Sequence, residues 1–274
     1  MPNLAKGGVG TMLGAIIGDI VGSAYEHQWQ PIKTKDFPWF TEGCHFTDDT
    51  VTTVAVAEAL MVGKERKCGY LTPLRERMRY WCRQYPDVGF GGYFRQWFLA
   101  DAAAPYGSWG NGAAMRVSPA AWVGKDLDEV QELAELTAVI SHDHDEAIRG
   151  AIAVASAVYL ARTKHSTADI RAYIQQYFYA LEQTLDDIRP TYSFTSDTAH
   201  SVPEAIEAFL ESTSFTDAIA NAVSLGGDTD TQGAMAGAMA EAYYGIPEEI
   251  KAKAMTYLPQ GMQDVVHRFY AQYR

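Results

Sequence analysis

The amino-acid sequence predicts a predominantly α-helical protein. No stretch shows the sustained alternation of apolar and polar residues that is typical of a half-buried strand. Several runs instead place apolar residues three and four positions apart, which is the spacing of one buried helix face. The chain has 274 residues and 47% hydrophobic content, so it can bury a substantial core. We expect residues 1–274 to form a single domain.

The composition limits the compartment and the class of partner. A net charge of −12 and an isoelectric point near 5.0 argue against general binding to nucleic acid or to anionic membranes. The 3 cysteines are odd in number and lack the paired spacing of zinc ligands, so neither a disulfide framework nor a structural zinc site is indicated. The apolar run near the N-terminus is too short to cross a bilayer and is interrupted by Asp19. We therefore expect a cytoplasmic protein that does not associate with membranes.

A stripe of glycines marks the first predicted helix. Gly10, Gly14, Gly18 and Gly22 recur every four residues, and on a helix they form a face without side chains. Glycine is unfavourable inside a helix, so the stripe predicts that another helix backbone packs closely against it. Glu26 follows this run, either as a solvated helix end or as a carboxylate that the helix delivers to a site.

The next three elements have simpler signatures. Residues 30–43 contain two prolines and no apolar period, which predicts a loop that could act as a lid. Apolar positions repeat with helical spacing over residues 51–62, and Gly63 is expected to end this helix. Residues 71–85 predict an amphipathic helix whose basic face is solvated.

The middle of the chain contains a glycine-rich loop and a histidine pair. Residues 107–112 hold too many glycines for a stable helix. They predict either a binding loop whose amides hold phosphate or a turn with a core tryptophan, Trp109. His142 and His144 precede a helix predicted over residues 146–162. No third histidine or cysteine lies at a recognisable zinc spacing, so capping or substrate contact is favoured for this pair.

Four elements are predicted between this region and the last acidic cluster. They are a helix over residues 166–181, a polar loop over 189–201, a helix over 204–210 started by Pro203, and a helix over 218–225 capped by Thr216 and Asp217. Gly226 and Gly227 then break the helical pattern and present Asp228.

The last predicted helix carries a second stripe of small residues. Gly233, Gly237 and Ala240 lie on one helix face, and this face is the expected mate of the N-terminal glycine stripe. Their contact would bring both ends of the chain to one centre. Gly245 and Pro247 are expected to end the helix.

Two predicted helix starts, far apart in sequence, carry paired carboxylates and hydroxyl groups. They are Thr47, Asp48, Asp49 and Thr50 at the first, and Asp228, Thr229, Asp230 and Thr231 at the second. Helix capping and the helix dipole explain either cluster alone. A cap needs one side-chain oxygen, however, and four carboxylates brought together repel each other unless a cation neutralises them. Oxygen ligands without histidine or cysteine favour magnesium over zinc, so the two clusters together predict a magnesium site.

Five segments resemble, in order, the motifs of the ADP-ribosylglycohydrolase family. They are GAIIGDIVGSAYE ending at Glu26, FTDDT at residues 46–50, GSWGNGAAMR at residues 107–116, His142 ahead of EAIRGA, and GGDTDTQGAMAG at residues 226–237. The resemblance spans nearly the whole chain. It implies an all-α, compact orthogonal helical bundle with a central binuclear metal site that holds two Mg²⁺ ions, for which Mn²⁺ can substitute.

The resemblance also implies a role for each matching residue. Six side chains match metal ligands, with Asp230 placed to bridge the ions: Thr47, Asp48, Asp49, Asp228, Asp230 and Thr231. Five residues match substrate contacts: Gly107, Ser108 and Asn111 at the diphosphate and ribose, Trp109 near the adenine, and His142 against the ligand. Three carboxylates are the catalytic candidates, because one must take a proton from the attacking water: Glu26, Asp49 and Asp228.

The implied activity is hydrolysis of an N- or O-glycosidic bond between ADP-ribose and its acceptor. The substrate would be an ADP-ribosylated protein or a small ADP-ribosyl conjugate, and ADP-ribose would be a product. We expect modified arginine as the acceptor, with a serine-type O-linked acceptor as the alternative. The intact aspartates argue against a non-catalytic ADP-ribose-binding protein. A metal-dependent phosphohydrolase centred on His142, Asp143 and His144 is a further alternative, which more spaced histidines would have supported.

Overall fold

The structure, a computed structural model, describes residues 12–273. Among these residues the only β-type pairing is an isolated antiparallel bridge between Gly110 and Asp197, so the predicted all-α fold class is confirmed. No helix in this part of the chain is long and apolar enough to cross a membrane. The α-helices of the described residues are, in chain order, α1 (Leu13–Ser23), α2 (Asp48–Arg66), α3 (Leu71–Gln84), α4 (Gly92–Leu99), α5 (Ser118–Val123), α6 (Leu127–Val139), α7 (Asp145–Arg162), α8 (Thr167–Tyr177), α9 (Leu185–Ile188), α10 (Val202–Leu210), α11 (Phe215–Val223), α12 (Thr229–Tyr244), α13 (Glu248–Met255) and α14 (Gln260–Gln272).

Helices α1 and α12 form the centre of the fold, and their backbones are in direct contact. A Cβ atom added to Gly18 would lie 1.9 Å from the carbonyl oxygen of Gly233, and one added to Gly237 would lie 2.2 Å from that of Gly14. Only glycine fits at such distances, so the predicted pairing of the two small-residue stripes is confirmed. Gly10, the first member of the N-terminal stripe, lies outside the described residues.

Two buried polar contacts join the central helices near their ends. Glu241 Oε2 accepts a hydrogen bond from Gly14 N (2.6 Å), and Thr229 Oγ1 donates to Gly22 O (2.8 Å). Gly14 N lies in the first turn of α1, where an amide has no intrahelical acceptor, and Glu241 supplies one. Helices α2, α7, α10 and α11 cover the central pair, so α12 is buried along nearly its whole length.

Helix α2 extends in both directions beyond the predicted residues 51–62. Gly63 does not end it, and that prediction was wrong. The helix runs to Arg66 and stops where Lys67 adopts a left-handed conformation with φ of 51°. Gly63 instead leaves room for the chain as it turns away, since a Cβ atom there would lie 2.5 Å from Tyr70 Cδ1.

The N-cap of α11 is Ser214, whose side chain accepts a hydrogen bond from the backbone N–H of Asp217. The helix therefore begins at Phe215, and the prediction that Thr216 and Asp217 cap it was wrong. Both residues lie inside the first turn, where the Asp217 carboxylate complements the helix dipole.

Six helices were missed by sequence reasoning: α4, α5, α6, α9, α13 and α14. Helix α6 had a readable signal, because Asp126 is an N-cap that accepts a hydrogen bond from Glu129 N (2.9 Å). Helix α8 ends at Tyr177 and does not reach residue 181. The loop predicted over residues 30–43 contains neither helix nor strand and is confirmed.

Candidate metal and substrate site

The two acidic helix starts meet at one end of the central helix pair. Thr231 Oγ1, in the first turn of α12, donates to Asp49 Oδ2, in the first turn of α2, over 3.3 Å. The end of α1 adjoins them, since a Cβ atom added to Gly22 would lie 2.6 Å from Asp230 Cα. Two clusters that stand far apart in sequence therefore share one buried volume.

Asp19 is a further carboxylate in this volume, and sequence reasoning did not identify it as a site residue. It lies inside α1 and is fully buried. Its carboxylate accepts hydrogen bonds from Thr47 N (3.0 Å), Thr47 Oγ1 (2.7 Å), Thr50 N (3.0 Å) and the Thr50 hydroxyl. The first amides of α2 are thus capped from another helix. The available signal was the single charged residue of α1, because a lone carboxylate is rarely buried without partners.

Five carboxylates form two overlapping groups that could each hold a metal ion. Asp19, Asp49 and Asp230 offer oxygen atoms that lie within 4.8 Å of one another, and Glu26, Asp228 and Asp230 do the same. Asp230 belongs to both groups. Its carboxylate could therefore ligate both of two neighbouring ions.

Asp48 lies outside both groups but lines the same cavity. A turn at Gly89, with φ of 112°, approaches it closely, since a Cβ atom on that glycine would lie 2.9 Å from Asp48 Oδ1. The pKa of Asp48 is raised to about 8, chiefly by burial and secondly by the carboxylates of Asp19 and Asp228. Asp48 therefore faces the site but belongs to neither carboxylate group.

Helix capping accounts for one cluster more fully than for the other. Thr47 does cap α2, since its side chain accepts a hydrogen bond from Asp49 N (3.3 Å). Asp228 makes no side-chain cap bond to α12, and its Oδ2 accepts instead from Asn111 Nδ2 (2.8 Å). Asp49 Oδ1 is buried and has no hydrogen-bond partner. A buried carboxylate oxygen without a donor is costly, and a cation would satisfy it.

The electrostatics of the site favour a bound cation. Burial raises the pKa of Asp49, Asp228 and Asp230 well above the usual range for aspartate, and neighbouring carboxylates raise it further. The pKa of Glu26 is raised to about 7, chiefly by burial and secondly by the carboxylates of Asp228 and Asp19. Without a counter-charge the ionised forms of these groups are destabilised. Because all the donors are oxygen atoms, the residues fit a hard divalent cation such as Mg²⁺.

A cavity of about 640 Å³ extends from the carboxylates to the glycine-rich loop. This volume lies within the range of about 300–1,000 Å³ that is typical of small-molecule sites. Of the predicted substrate contacts, Ser108, Asn111 and His142 line the cavity, while Gly107 and Trp109 do not. Gly107 forms a left-handed turn with φ of 66°, and Trp109 is 59% exposed.

The histidine pair is divided between two surroundings. His142 is buried and lines the cavity. His144 is the N-cap of α7, where its Nδ1 accepts from Glu146 N (3.1 Å), and its ring lies beside Trp109. Neither histidine belongs to a group of metal-ligating side chains in residues 12–273. The geometry therefore gives no support to a zinc site or a phosphohydrolase centre at this pair.

Aromatic side chains that sequence reasoning did not assign to the site form part of the cavity wall. Tyr93 and Tyr106 stack with ring centroids 6.2 Å apart, and both line the cavity. Phe194 and His27 form a second pair of lining rings, 6.1 Å apart. His27, Tyr106 and Phe194 lie outside the helices, in segments that carry binding residues more often than helices do, and sequence reasoning could have used this signal. Tyr93 lies in the first turn of α4 and had no such signal.

Fold and site together define a class of protein: an all-α chain with a carboxylate-rich centre at the end of a ligand-sized cavity. The model of the ADP-ribosylglycohydrolase family matches residues 2–274, so the chain belongs to that family.

Two curated relatives and a solved structure agree with this assignment. ADP-ribosylhydrolase ARH3 of Homo sapiens is 26% identical over 313 aligned residues, which cover 87% of this chain and 85% of the relative. The ADP-ribosyl-[dinitrogen reductase] glycohydrolase of Rhodospirillum rubrum is 26% identical over 274 residues, which cover 90% of this chain and 88% of the relative. A structure described as an ADP-ribosylglycohydrolase-related protein complex has a TM-score of 0.72 over 98% of both chains, at 21% identity, which supports the fold. As a member of this family, the chain is a hydrolase of ADP-ribose linkages.

Proposed function

We propose that this chain is a magnesium-dependent hydrolase that removes ADP-ribose from modified arginine side chains. The observation that carries the proposal is the convergence of two carboxylate groups, sharing Asp230, at one end of a ligand-sized cavity. Two Mg²⁺ ions would bind where these groups meet, with Mn²⁺ as a substitute. When bound, the ions would fix the ribose hydroxyls, polarise the anomeric carbon and lower the pKa of a bound water.

The protein ligands come from both ends of the chain. Asp49, Asp228 and Asp230 would supply the central carboxylates, because each belongs to one or both groups. Three further oxygen-bearing side chains line the same part of the cavity and would complete the ligand set: Thr47, Asp48 and Thr231. Asp19 would position α2, since its carboxylate is already engaged by Thr47 and Thr50.

Glu26 is the carboxylate best suited to take the proton of the attacking water. It lines the cavity, and its burial, which raises its pKa to about 7 in the metal-free protein, makes it a stronger base than a solvated glutamate. Asp228 is less available, because its Oδ2 accepts the hydrogen bond from Asn111. Asp49 has an unpartnered oxygen, but that oxygen is buried and suits a metal ion. The transition state would have oxocarbenium character, as in glycoside hydrolysis generally.

The glycine-rich loop would hold the diphosphate of the substrate. Ser108 and Asn111 line the cavity on this side, and Asn111 is hydrogen-bonded to Asp228, so the loop and the metal ligands have a fixed relation. The stacked rings of Tyr93 and Tyr106 offer an aromatic surface for the adenine.

The charge of the cavity supports a cationic acceptor. Asp87 lines it and is not among the proposed metal ligands, and the chain carries a net charge of −12. An arginine side chain would benefit from this charge before the bond is cleaved and after it. A neutral serine-type acceptor would not, and O-linked ADP-ribose is the second candidate. The intact carboxylates argue against a non-catalytic ADP-ribose-binding role.

We also infer that residues 1–274 act as one domain in the cytoplasm. The family match spans residues 2–274. Cys44, Cys68 and Cys82 are all free thiols, which is typical of a reducing compartment.

A peptide hydrolysis assay tests this function. The protein is incubated with ADP-ribosyl-arginine and ADP-ribosyl-serine peptides, in Mg²⁺, Mn²⁺ or EDTA, and released ADP-ribose is measured by chromatography. We expect faster release from the arginine peptide, no release in EDTA, and no release by Asp228→Ala. Asp101→Ala is the matched control, because its carboxylate is 88% exposed and lies away from the cavity lining. Faster release from the serine peptide would reassign the acceptor, and full activity of Asp228→Ala would refute the metal assignment.

A further inference from the structure

Arg116 is a buried arginine that lacks a carboxylate partner among residues 12–273. It is 1% exposed, lines the cavity, and its Nη2 donates to Thr137 O (3.2 Å) and Ser141 Oγ (2.8 Å). The guanidinium carbon lies 5.4 Å from the centre of the Phe94 ring, and Nε has no hydrogen-bond partner. A buried cation with so few partners costs stability, so a local role is expected for it.

Ser141 connects this arginine to His142. Ser141 Oγ lies 2.8 Å from Arg116 Nη2 and 2.8 Å from His142 Nδ1. Arginine can only donate, so the serine oxygen accepts the first of these bonds. The serine hydroxyl has one hydrogen to give, and its acceptor in the described part of the chain is His142 Nδ1. A hydrogen on Nδ1 would leave the serine hydrogen without an acceptor at a fully buried position.

The opposite ring nitrogen of His142 faces the glycine-rich loop. A Cβ atom added to Gly112 would lie 2.8 Å from His142 Nε2, and the histidine lines the cavity between this loop and the Phe94 ring. A neutral imidazole that accepts at Nδ1 carries its hydrogen at Nε2. This hydrogen is therefore available to an oxygen atom of a molecule in the cavity.

We infer that Arg116 and Ser141 are positioning residues that fix the tautomer of His142, so that its Nε2–H is a hydrogen-bond donor for the substrate. The identity of that substrate rests on the proposed function, whereas the tautomer of the ligand-free protein does not. Loss of the Ser141 hydroxyl should allow His142 to adopt both tautomers. It removes no group that lines the cavity.

The surroundings of His142 also keep it uncharged. Burial, followed by the charge of Arg116, holds the pKa of His142 well below its usual value of 6.5. The other rings that face it are Tyr106 and Phe94, with centroids 5.7 Å and 5.9 Å away, and neither supplies a negative charge. His142 therefore remains a neutral donor across the physiological pH range.

Long-range proton–nitrogen NMR spectra of histidine-labelled protein test the tautomer directly. The chain has 7 histidines, and comparison with His142→Gln assigns the signal. We expect His142 to show a protonated Nε2 and an unprotonated Nδ1 at about pH 7 to 8, above the ordinary pKa of histidine. A signal from the Nδ1–H form, or from a mixture of both forms, in the wild-type protein would overturn the inference.

Two variants test the positioning residues. Ser141→Ala and Arg116→Met should each convert the His142 signal to a mixture of tautomers. Ser118→Ala is the matched control, because Ser118 is 1% exposed and its Oγ has no hydrogen-bond partner. Like Ser141→Ala, it removes one buried serine hydroxyl, but it should leave the His142 signal unchanged. A wild-type signal in folded Ser141→Ala would overturn the inference, whether or not Arg116→Met folds.

Calorimetric titration with ADP-ribose in Mg²⁺ tests the donor role. We expect Ser141→Ala to bind about fivefold more weakly than wild type, which corresponds to one displaced hydrogen bond, and Ser118→Ala to bind normally. Normal binding by a Ser141→Ala protein with mixed tautomers would overturn the donor role. Failure of the wild-type protein to bind ADP-ribose would instead count against the proposed function, while the spectra would still decide the tautomer.

Discussion

Asp19 and Asp49 are both buried beside the start of α2, but their carboxylates have different surroundings. Asp19 accepts four hydrogen bonds, whereas one oxygen of Asp49 has no partner. Asp19→Asn places an NH₂ group opposite N–H and O–H donors, so we expect it to destabilise the metal-free protein by about 2 kcal/mol. Asp49→Asn removes one of several repelling charges, so we expect it to stabilise the metal-free protein.

Urea unfolding in EDTA compares these two variants, with tryptophan fluorescence as the signal. The prediction concerns the sign of each change, since the same chemical substitution is made at two equally buried positions. If both midpoints moved in the same direction, then the hydrogen bonds from Thr47 and Thr50 would not distinguish the two carboxylates.

Glu26 predicts a pH dependence of the metal-free protein. Its pKa rises from 4.5 in the reference state to about 7 in the folded state, chiefly through burial. Between these values the folded protein binds more protons than the unfolded chain. The contribution of Glu26 to stability is therefore greatest below about pH 4.5 and is lost as the pH rises through about 7.

Glu26→Gln should flatten this part of the stability profile, because glutamine does not titrate. The free energy of unfolding is measured from pH 4 to pH 8 in EDTA, with Glu248→Gln as the control, since that side chain is 84% exposed. An identical slope in wild type and Glu26→Gln would show that the glutamate is solvated in the metal-free protein.

A site residue could be predicted from the sequence only when its partners lie close to it in the chain. Asp49 and Asp230 were accessible, because two carboxylates at one helix start exceed what capping needs. Asp19 was not, since its partners Thr47 and Thr50 come from another helix and appear only when the chain folds. The His142 surroundings were missed for the same reason, as its arginine neighbour Arg116 is distant in sequence.

At the scale of helices, the close contact of α1 and α12 predicts a large effect of a single methyl group. Gly18→Ala would place a Cβ atom 1.9 Å from Gly233 O, a backbone atom that moves only with its helix. Overpacking of this kind typically costs about 1–3 kcal/mol, and we expect the upper end because both helices are central. Gly92→Ala is the control, since its Cβ would meet no atom within 4 Å.

Thermal unfolding monitored by circular dichroism measures both glycine variants. The Gly18→Ala protein should melt at a lower temperature, and the Gly92→Ala protein should melt at or slightly above the wild-type temperature. Equal melting temperatures would mean that α1 and α12 can separate at no cost, which contradicts the packing described above.

The same contact explains which helices could be predicted. Glycine at every fourth position has few uses other than close helix packing, so α1 and α12 were paired correctly. A single glycine is ambiguous, and Gly63 was misinterpreted as a helix end although it relieves a contact with Tyr70. Helix α13 follows a proline and buries only Ala254, so it lacks the apolar stripe that identifies a buried helix. Helix α14 does have such a stripe, at Met262, Val265, Val266 and Phe269, and sequence reasoning overlooked it.

At the scale of the whole molecule, the site depends on segments from both ends of the chain. The loop over residues 30–43 contributes as well, because Lys33 Nζ donates to Tyr192 O (2.6 Å) and Leu225 O (2.5 Å). Leu225 lies just before the turn that presents Asp228. The shared chemistry of the two acidic clusters predicted that they meet. The helix and loop contacts that bring them together could be seen only in the structure.

Magnesium is therefore expected to stabilise the entire fold. An ion that binds only the folded protein adds about 2.7 kcal/mol at a free concentration 100 times its dissociation constant. For a chain of this size, 1 kcal/mol corresponds to roughly 2–4 °C in melting temperature, so one occupied site should raise it by roughly 5–10 °C. The second carboxylate group should add a further increment at higher Mg²⁺ concentration.

Melting temperatures are measured over a magnesium titration that starts in EDTA. Asp230→Ala should lose both increments, because Asp230 belongs to both carboxylate groups, whereas Asp49→Ala and Asp228→Ala should each lose one. Gly92→Ala should keep the full response. A melting temperature that did not change with Mg²⁺ would separate the carboxylate cluster from metal binding, and an intact response in Asp230→Ala would show that the two groups do not share a ligand. The three aspartate variants therefore distinguish one shared binuclear site from two independent ones, since only sharing makes a single substitution remove both increments.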